Sequence, residues 1–359
     1  MRTSIGRTRG LVALLTASIF VLGGCAAPSS EGSAETRTAT ESPTVGGGDE
    51  AQHKHEPSSH PATTAAPADD EMRVTLLGTG SPVPSEERYG MATLVQAGGL
   101  NLVFDAGRGA TTRMTQAGVS PGQIDGVFIT HFHSDHVNGL GDLWLTGFVP
   151  AFGGREGSFD VYGPTGVDDL VAGLRQAHSD DIDVRVADGE VERDTTDIAA
   201  HEFTEEGVIF DQDGVTVTMF EVLHDPAGAI DPAMGFRVDY ADRSVLISGD
   251  TVPHDNVVEH GTGVDLLIHE VAAFEDPDVL PQVSSHHTSP REAGEIFSAA
   301  APRMAVYSHI VNGTSEEAPG IPEEELVNRT RENYDGPLTV GEDLMSFLVT
   351  DEEIDTHLP

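Results

Sequence analysis

From residue 72 onward, short apolar runs alternate with polar, glycine-bearing breaks, whereas residues 26–70 carry almost no large apolar side chain. The runs at 73–77, 93–97, 100–104 and 127–130 have the length and β-branched character of strands, and the second and third read as a hairpin across Gly98-Gly99. Further strands are predicted at 215–222, 235–240, 244–248, 265–269 and 304–308. Helical spacing of apolar residues predicts helices at 109–117, 137–147, 167–178, 290–300 and 323–334. No repeat of fixed period is present. A strand-rich first part followed by alternating strands and helices predicts an α/β fold, with helices covering two mixed β-sheets as an αββα sandwich.

The amino-terminal pattern differs. Arg2, Arg7 and Arg9 precede an apolar run at 11–22, which ends in Leu22-Gly23-Gly24-Cys25. Positive, then apolar, then small is the order of a secretory signal, and the run is too short to span a bilayer comfortably. The ending resembles a bacterial lipoprotein signal, in which Cys25 becomes the lipidated first residue. The expected organisation is a signal at 1–24, a tether at 25–70 and one folded domain at 71–359. The protein would be exported and lipid-anchored to the outer face of the cell membrane. The tether, rich in Ala, Ser, Thr, Pro and Gly, would hold the domain roughly 35 Å from its anchor. His53, His55 and His60 lie in the tether and read as solvated linker rather than as a metal site.

Composition narrows the partners. Sixty acidic against 19 basic residues give a net charge of −41, and Lys54 is the only lysine. Nucleic acid and anionic membrane surfaces are unexpected partners, because both need a basic patch. Cys25 is the only cysteine, so no intrachain disulfide and no cysteine metal site can form.

The candidate chemistry begins after the strand at 127–130. His131, His133, Asp135 and His136 put three imidazoles and a carboxylate within six residues. These are the ligand types zinc takes when cysteine is absent. His131-x-His133-x-Asp135-His136 resembles the signature of the metallo-β-lactamase superfamily, and the resemblance extends over about 72–350. It implies the αββα fold and gives Asp105, in Phe104-Asp105-Ala106-Gly107, a structural role. By the same resemblance His224 follows a strand as the third ligand histidine, Asp250 is the bridging aspartate and His309 is the last ligand. One zinc would be held by His131, His133 and His224, and a second by Asp135, His136 and His309, with Asp250 bridging. Manganese or iron are alternatives to zinc.

A finer resemblance is to the ribonuclease Z and zinc arylsulfatase branch. Leu266-Leu267-Ile268-His269-Glu270-Val271 resembles its His-Glu-Ala-Thr box, and the segment from His287 to Gly294 resembles its His-Ser-Thr segment. The 22-residue spacing from His287 to His309 matches that branch, although the His-x-Thr pattern fits His286 equally well. The catalytic set implied is Asp135, Glu270 and His287, with His287 as proton donor and Glu270 orienting it. Such a site hydrolyses a small phosphodiester or sulfate ester. The alternatives are a ribonuclease Z-type endoribonuclease and a non-catalytic zinc-binding lipoprotein. Only 26 positions separate His224 from Asp250, too few for the tRNA-grasping arm common in that branch. The expected partner is a small anionic ester, with membrane contact only through the lipid anchor; a homodimer is compatible with the sequence. Trp144 and Phe148 are candidates for an aromatic pocket wall but read better as core. Arg88 and Tyr89 could meet an anionic ester or lie in a solvated loop.

Overall fold

The structure, a computed structural model, describes residues 66–276, 278, 280–313 and 318–359. Cys25, His53, His55 and His60, with the expected signal and most of the tether, lie outside the described residues.

Along the chain, β1 (Met72–Gly78), β2 (Ala92–Ala97), β3 (Leu100–Phe104), β4 (Gly126–Phe128), β5 (Phe159–Pro164) and β6 (Ile198–Phe203) lie side by side in sequence order. A second sheet holds β7 (Gly207–Gln212), β8 (Val215–Val222), β9 (Ala233–Tyr240), β10 (Arg243–Ile247), β11 (Leu266–Ala273), β12 (Met304–Asn312) and β13 (Leu338–Val340), again in order. β14 (Ser346–Val349) and β15 (Ile354–His357) return to the first sheet beside β1. Both sheets are mixed, as expected: β3 to β6 and β10 to β13 run parallel, and the remaining pairs are antiparallel.

The period-two alternation of a strand sorts these residues into layers. Phe104 and Phe128 point between the sheets and meet Phe236 from β9 at centroid distances of 5.5 and 5.9 Å. Their neighbours Val103 and Val127 point outward. There α1 (Ala110–Gln116), α2 (Ser134–Val137), α3 (Leu140–Gly147), α4 (Val167–Ala177) and α5 (Ser179–Asp188) supply Met114, Val137, Leu143, Trp144, Val171 and Ile182. In the second sheet Val245 and Ile268 face inward, whereas Leu246 and Leu267 face α6 (Asp255–Gly261). α7 (Pro281–Ser284) is a single turn, and α8 (Pro290–Ala300) and α9 (Glu323–Thr330) complete the outer layer. Strands buried on both faces explain runs with no polar alternation.

Several elements differ from the expected pattern, and β5, β13, β14, β15, α5 and α6 were not among those predicted. The helix predicted at 137–147 breaks into α2 and α3 at Gly139, where a Cβ would lie 2.2 Å from the Gly107 carbonyl oxygen. β12 runs four residues beyond the predicted 308, and α9 stops at Thr330. β6 and β7 escaped prediction because they form the outer edges of their sheets and carry polar residues such as His201, Glu202, Asp211 and Gln212.

One buried carboxylate fixes the long loop between β1 and β2. Asp343 Oδ1 accepts the Thr79 backbone N–H at 2.9 Å and the Thr79 hydroxyl at 2.8 Å. Its Oδ2 accepts the Tyr89 N–H at 2.8 Å and pairs with Arg113 at 3.1 Å. Asp343→Ala leaves two amides and a guanidinium without their acceptor. It is expected to lower the unfolding free energy by about 2–4 kcal/mol, read by denaturant titration.

Candidate metal and hydrolytic site

The site lies where strand ends of both sheets converge. β4 continues through Ile129 and Thr130 into His131, and α2 places Asp135 and His136 in its single turn with His133 as its N-cap. β8 ends just before His224. After β10 the chain turns at Gly249, whose φ is 63° and whose Cβ would lie 2.3 Å from the Met234 carbonyl oxygen, and it then presents Asp250. His309 sits in a bulge. Between the pairs His269↔Tyr307 and Val271↔Ile310, β12 has one residue more than β11, and His309 takes up the extra residue at a φ of 43°. The bulge re-aims a side chain at the rim of a sheet.

These elements bring all seven expected ligands together. Asp250 Oδ2 lies 3.3 Å from His136 Nε2 and from His309 Nε2. It lies 3.8 Å from His131 Nε2 and 3.7 Å from His224 Nε2. His224 Nε2 is 3.1 Å from His133 Nδ1, and His309 Nε2 is 3.1 Å from Asp135 Oδ2. The ligand atoms form one group of His131, His133, His224 and Asp250 and a second of Asp135, His136 and His309, each within 4.8 Å. A further grouping joins Asp250 and His309 to His287.

The chemistry of the set fits divalent metal. His131 Nε2, His136 Nε2 and Asp250 Oδ1 are buried with no hydrogen-bond partner among the described residues. Burial pushes the His131 imidazolium well down and that of His224 to about 4, against the opposing pull of Asp250. Both rings therefore present lone pairs at neutral pH, as a metal ligand must. Outer partners set the tautomers. His136 Nδ1–H donates to Asp105 Oδ2 at 2.8 Å, while Asp105 Oδ1 accepts the Thr130 N–H at 2.9 Å. His224 Nδ1–H donates to the His286 carbonyl at 2.9 Å. Each bond leaves Nε2 aimed into the cluster.

The two histidines that the sequence left in competition are separated by their neighbours. His287 Nδ1 is 3.2 Å from Glu270 Oε2, and its ring stacks 5.7 Å from that of His309. His286 instead lies 3.4 Å from Asp225. Glu270 is itself buried, and its Oε1 accepts the N–H groups of Thr288 at 2.8 Å and Thr251 at 3.3 Å. Burial disfavours charge on His287, but the Glu270 carboxylate outweighs it and raises the imidazolium to about 9.

A cavity of about 350 Å³ opens over this cluster. Its apolar lining includes Pro82, Val83, Phe274, Leu280, Val283 and Val311, none singled out by the sequence pattern. Only four of the ten residues at 274–283 are hydrophobic, about the share of the whole chain, so no pattern in the sequence marks this wall. Trp144 and Phe148 are in the core instead, and the Trp144 indole donates to the Thr196 carbonyl. Arg88 donates to Thr79 Oγ1 and the Gly341 carbonyl, and Tyr89 lies under the Arg113 guanidinium at 4.1 Å. Both residues brace the loop.

Residues 72–287 match the sequence profile of a family described as Anti-Pycsar protein Apyc1. A ribonuclease Z of Mycobacterium bovis (strain BCG / Pasteur 1173P2) is 34% identical over 278 residues, covering 76% of this chain and 96% of that protein. A ribonuclease Z of Mycobacterium sp. (strain KMS) is 37% identical over 243 residues, covering 66% and 84% respectively. The fold is that of the metallo-β-lactamase fold protein YhfI from Bacillus subtilis, with a TM-score of 0.61 at 19% identity, over 78% of this chain and 100% of that one. Human tRNase Z, short form, superposes with a TM-score of 0.57 at 24% identity, over 76% and 98%.

Asp250 Oδ2 lies within 3.8 Å of nitrogens from both ligand groups. Asp250→Ala is expected to lower bound metal well below two equivalents, measured by elemental analysis of the purified protein. A wild-type protein that retains no more than one tightly bound ion defeats the dinuclear reading.

Proposed function

The chain belongs to the metallo-β-lactamase-fold hydrolases related to ribonuclease Z, and from that premise we propose that it is a dinuclear zinc hydrolase of a small phosphodiester or sulfate ester. The observation that carries this reading is the buried Glu270–His287 pair at the edge of the His/Asp cluster. A pure metal-binding protein has no use for a proton donor there.

His131, His133 and His224 would hold one ion, Asp135, His136 and His309 the other, with Asp250 shared. Metal held there supplies Lewis acidity and lowers the pKa of water toward 7. Hydrolysis forms a bond from the water oxygen to phosphorus or sulfur and breaks the bond to the ester oxygen. His287 gives its proton to that departing oxygen, the water's own surplus proton leaves to solvent, and His287 is reprotonated from solvent. Glu270 keeps the imidazole charged and turned toward the site.

The identity of the mycobacterial relatives, over nearly their full length, favours a second reading as an endoribonuclease. Against it stand the net charge of −41 and the stretch from His224 to Asp250, which holds only a loop, β9 and β10. Assaying the metal-loaded protein against bis-p-nitrophenyl phosphate, p-nitrophenyl sulfate and a tRNA precursor separates the two.

His287→Ala is expected to keep both metal equivalents and to lower turnover by about 10²–10⁴-fold on esters with high-pKa leaving groups, far less on p-nitrophenyl esters. His286→Ala should show no such leaving-group dependence. Equal losses for good and poor leaving groups in His287→Ala remove the general-acid role. The pH profile gives a second readout. The donor is present below its pKa and lost above it, so the alkaline limb of kcat/KM lies at or below about pH 9. Glu270→Gln removes the charge that raises the imidazolium, and the limb is expected to move to lower pH.

We further propose that residues 1–24 direct export, that Cys25 carries a lipid and that residues up to 70 act as a tether. Cys25→Ser is then expected to move the protein from the membrane to the soluble fraction with hydrolysis retained. A variant that stays with the membrane defeats the anchor.

A further inference from the structure

A buried ligand histidine needs a partner for the ring nitrogen that turns away from the cluster. For three of the four buried ones the structure supplies it. His131 Nδ1 lies 3.0 Å from Thr130 Oγ1, His136 Nδ1 donates to Asp105, and His224 Nδ1 donates to the His286 carbonyl. His309 is the exception. Its Nε2 faces Asp135 and Asp250, while its Nδ1 is buried with no hydrogen-bond partner among the described residues.

A second, much smaller cavity adjoins His309. Its volume is about 10 Å³, close to the space one water needs, and its lining includes the core residues Met91, Ile247 and Ile268 as well as Asp250 and His269. Two more buried atoms of these lining residues lack partners. Asp250 turns Oδ2 to the imidazoles and leaves Oδ1 unpaired, and His269 Nε2 is unpaired in a fully buried ring. His269 Nδ1 sits 2.7 Å from the Glu270 carbonyl oxygen, so Nδ1 carries the hydrogen and Nε2 the lone pair. Burial lowers the pKa of this ring and keeps it neutral at pH 7. Other polar groups of the lining already have partners: the Ser248 and Ser308 hydroxyls donate to the Gly249 carbonyl and to Met91 Sδ, and Glu270 Oε2 meets His287. With His309 Nε2 presented to an ion, what remains is one donor, His309 Nδ1–H, and two acceptors. A single water accepts once and donates twice, and so satisfies all three.

We infer that the metal-loaded protein holds one internal water in this cavity, which accepts the His309 Nδ1–H and donates to His269 Nε2 and Asp250 Oδ1. The inference rests on the two-ion reading above. His269 is then a positioning residue. Through the water it fixes the His309 ring and ties that ring to the shared carboxylate. Its effect falls chiefly on the ion held by Asp135, His136 and His309.

The test uses the full-length, zinc-loaded protein. A high-resolution diffraction map of the wild type is expected to show one ordered water within hydrogen-bond distance of His309 Nδ1, His269 Nε2 and Asp250 Oδ1. A map in which His309 Nδ1 meets a protein group directly, with no water between, overturns the inference. Chelator competition, with the occupancy of each ion read by anomalous diffraction, gives a second readout. His269→Leu is expected to weaken the ion at Asp135, His136 and His309 by about 10–100-fold, and the ion at His131, His133 and His224 far less. His269→Gln, which returns an acceptor oxygen near the place of Nε2, is expected to recover most of that affinity. Equal weakening of both ions, with no recovery in His269→Gln, marks a packing role and overturns the positioning role. A wild type that binds fewer than two ions overturns the two-ion reading instead, while the map still decides the water. The wild-type map also decides it where His269→Leu folds poorly.

Discussion

A carboxylate stripped of water among four imidazoles is the constraint on which the rest of the structure depends. Asp250 is 2% exposed, and its Oδ2 lies within 3.8 Å of nitrogens from His131, His136, His224 and His309. Burying that charge is costly unless it is matched by positive charge and held in place. The four rings come from the ends of strands in both sheets, so the sandwich must hold two sheet edges in fixed relation. Phe104 and Phe128, stacked on one another, and Phe236, which meets them at an angle, join the two sheets in the core. Asp105 and the His286 carbonyl then fix which nitrogen of His136 and His224 faces inward.

Several cations of this acidic chain brace the fold from within. The Arg155 guanidinium is buried over the Phe159 ring and donates to the carbonyls of Pro121 and Trp144. Arg303 joins Asp265 to the Thr350 carbonyl, and Arg329 reaches the Phe274 carbonyl. A planar fork with five donors suits this bracing better than an ammonium, and all eighteen basic residues other than Lys54 are arginine. Arginines bound to backbone oxygens are not offered to a polyanion at the surface.

The ligands were legible because they are local or sit at the ends of strongly apolar runs. Four fall within six residues after β4, His224 and Asp250 follow strands that the hydrophobic pattern announces, and His309 follows the apolar run at 304–308, inside the longer β12. The branch-like segments around Glu270 and His287 were legible as motifs, but adjacent histidines share a motif and differ only in where the loop turns them. Only the carboxylates they meet, Glu270 for one and Asp225 for the other, tell them apart. The cavity wall was not legible, since Val83, Phe274 and Val311 are far apart in sequence and converge only in the folded chain. The break at Gly139 was hidden for a similar reason, because the backbone that crowds it belongs to Gly107.

The peptide joining His286 to His287 serves two masters. Its carbonyl accepts the His224 Nδ1–H and fixes that ring, and the next side chain meets Glu270. Displacing this one peptide would therefore free His224 to rotate and draw His287 away from Glu270. A disturbance at this one peptide would thus reach a candidate metal ligand and the candidate acid together.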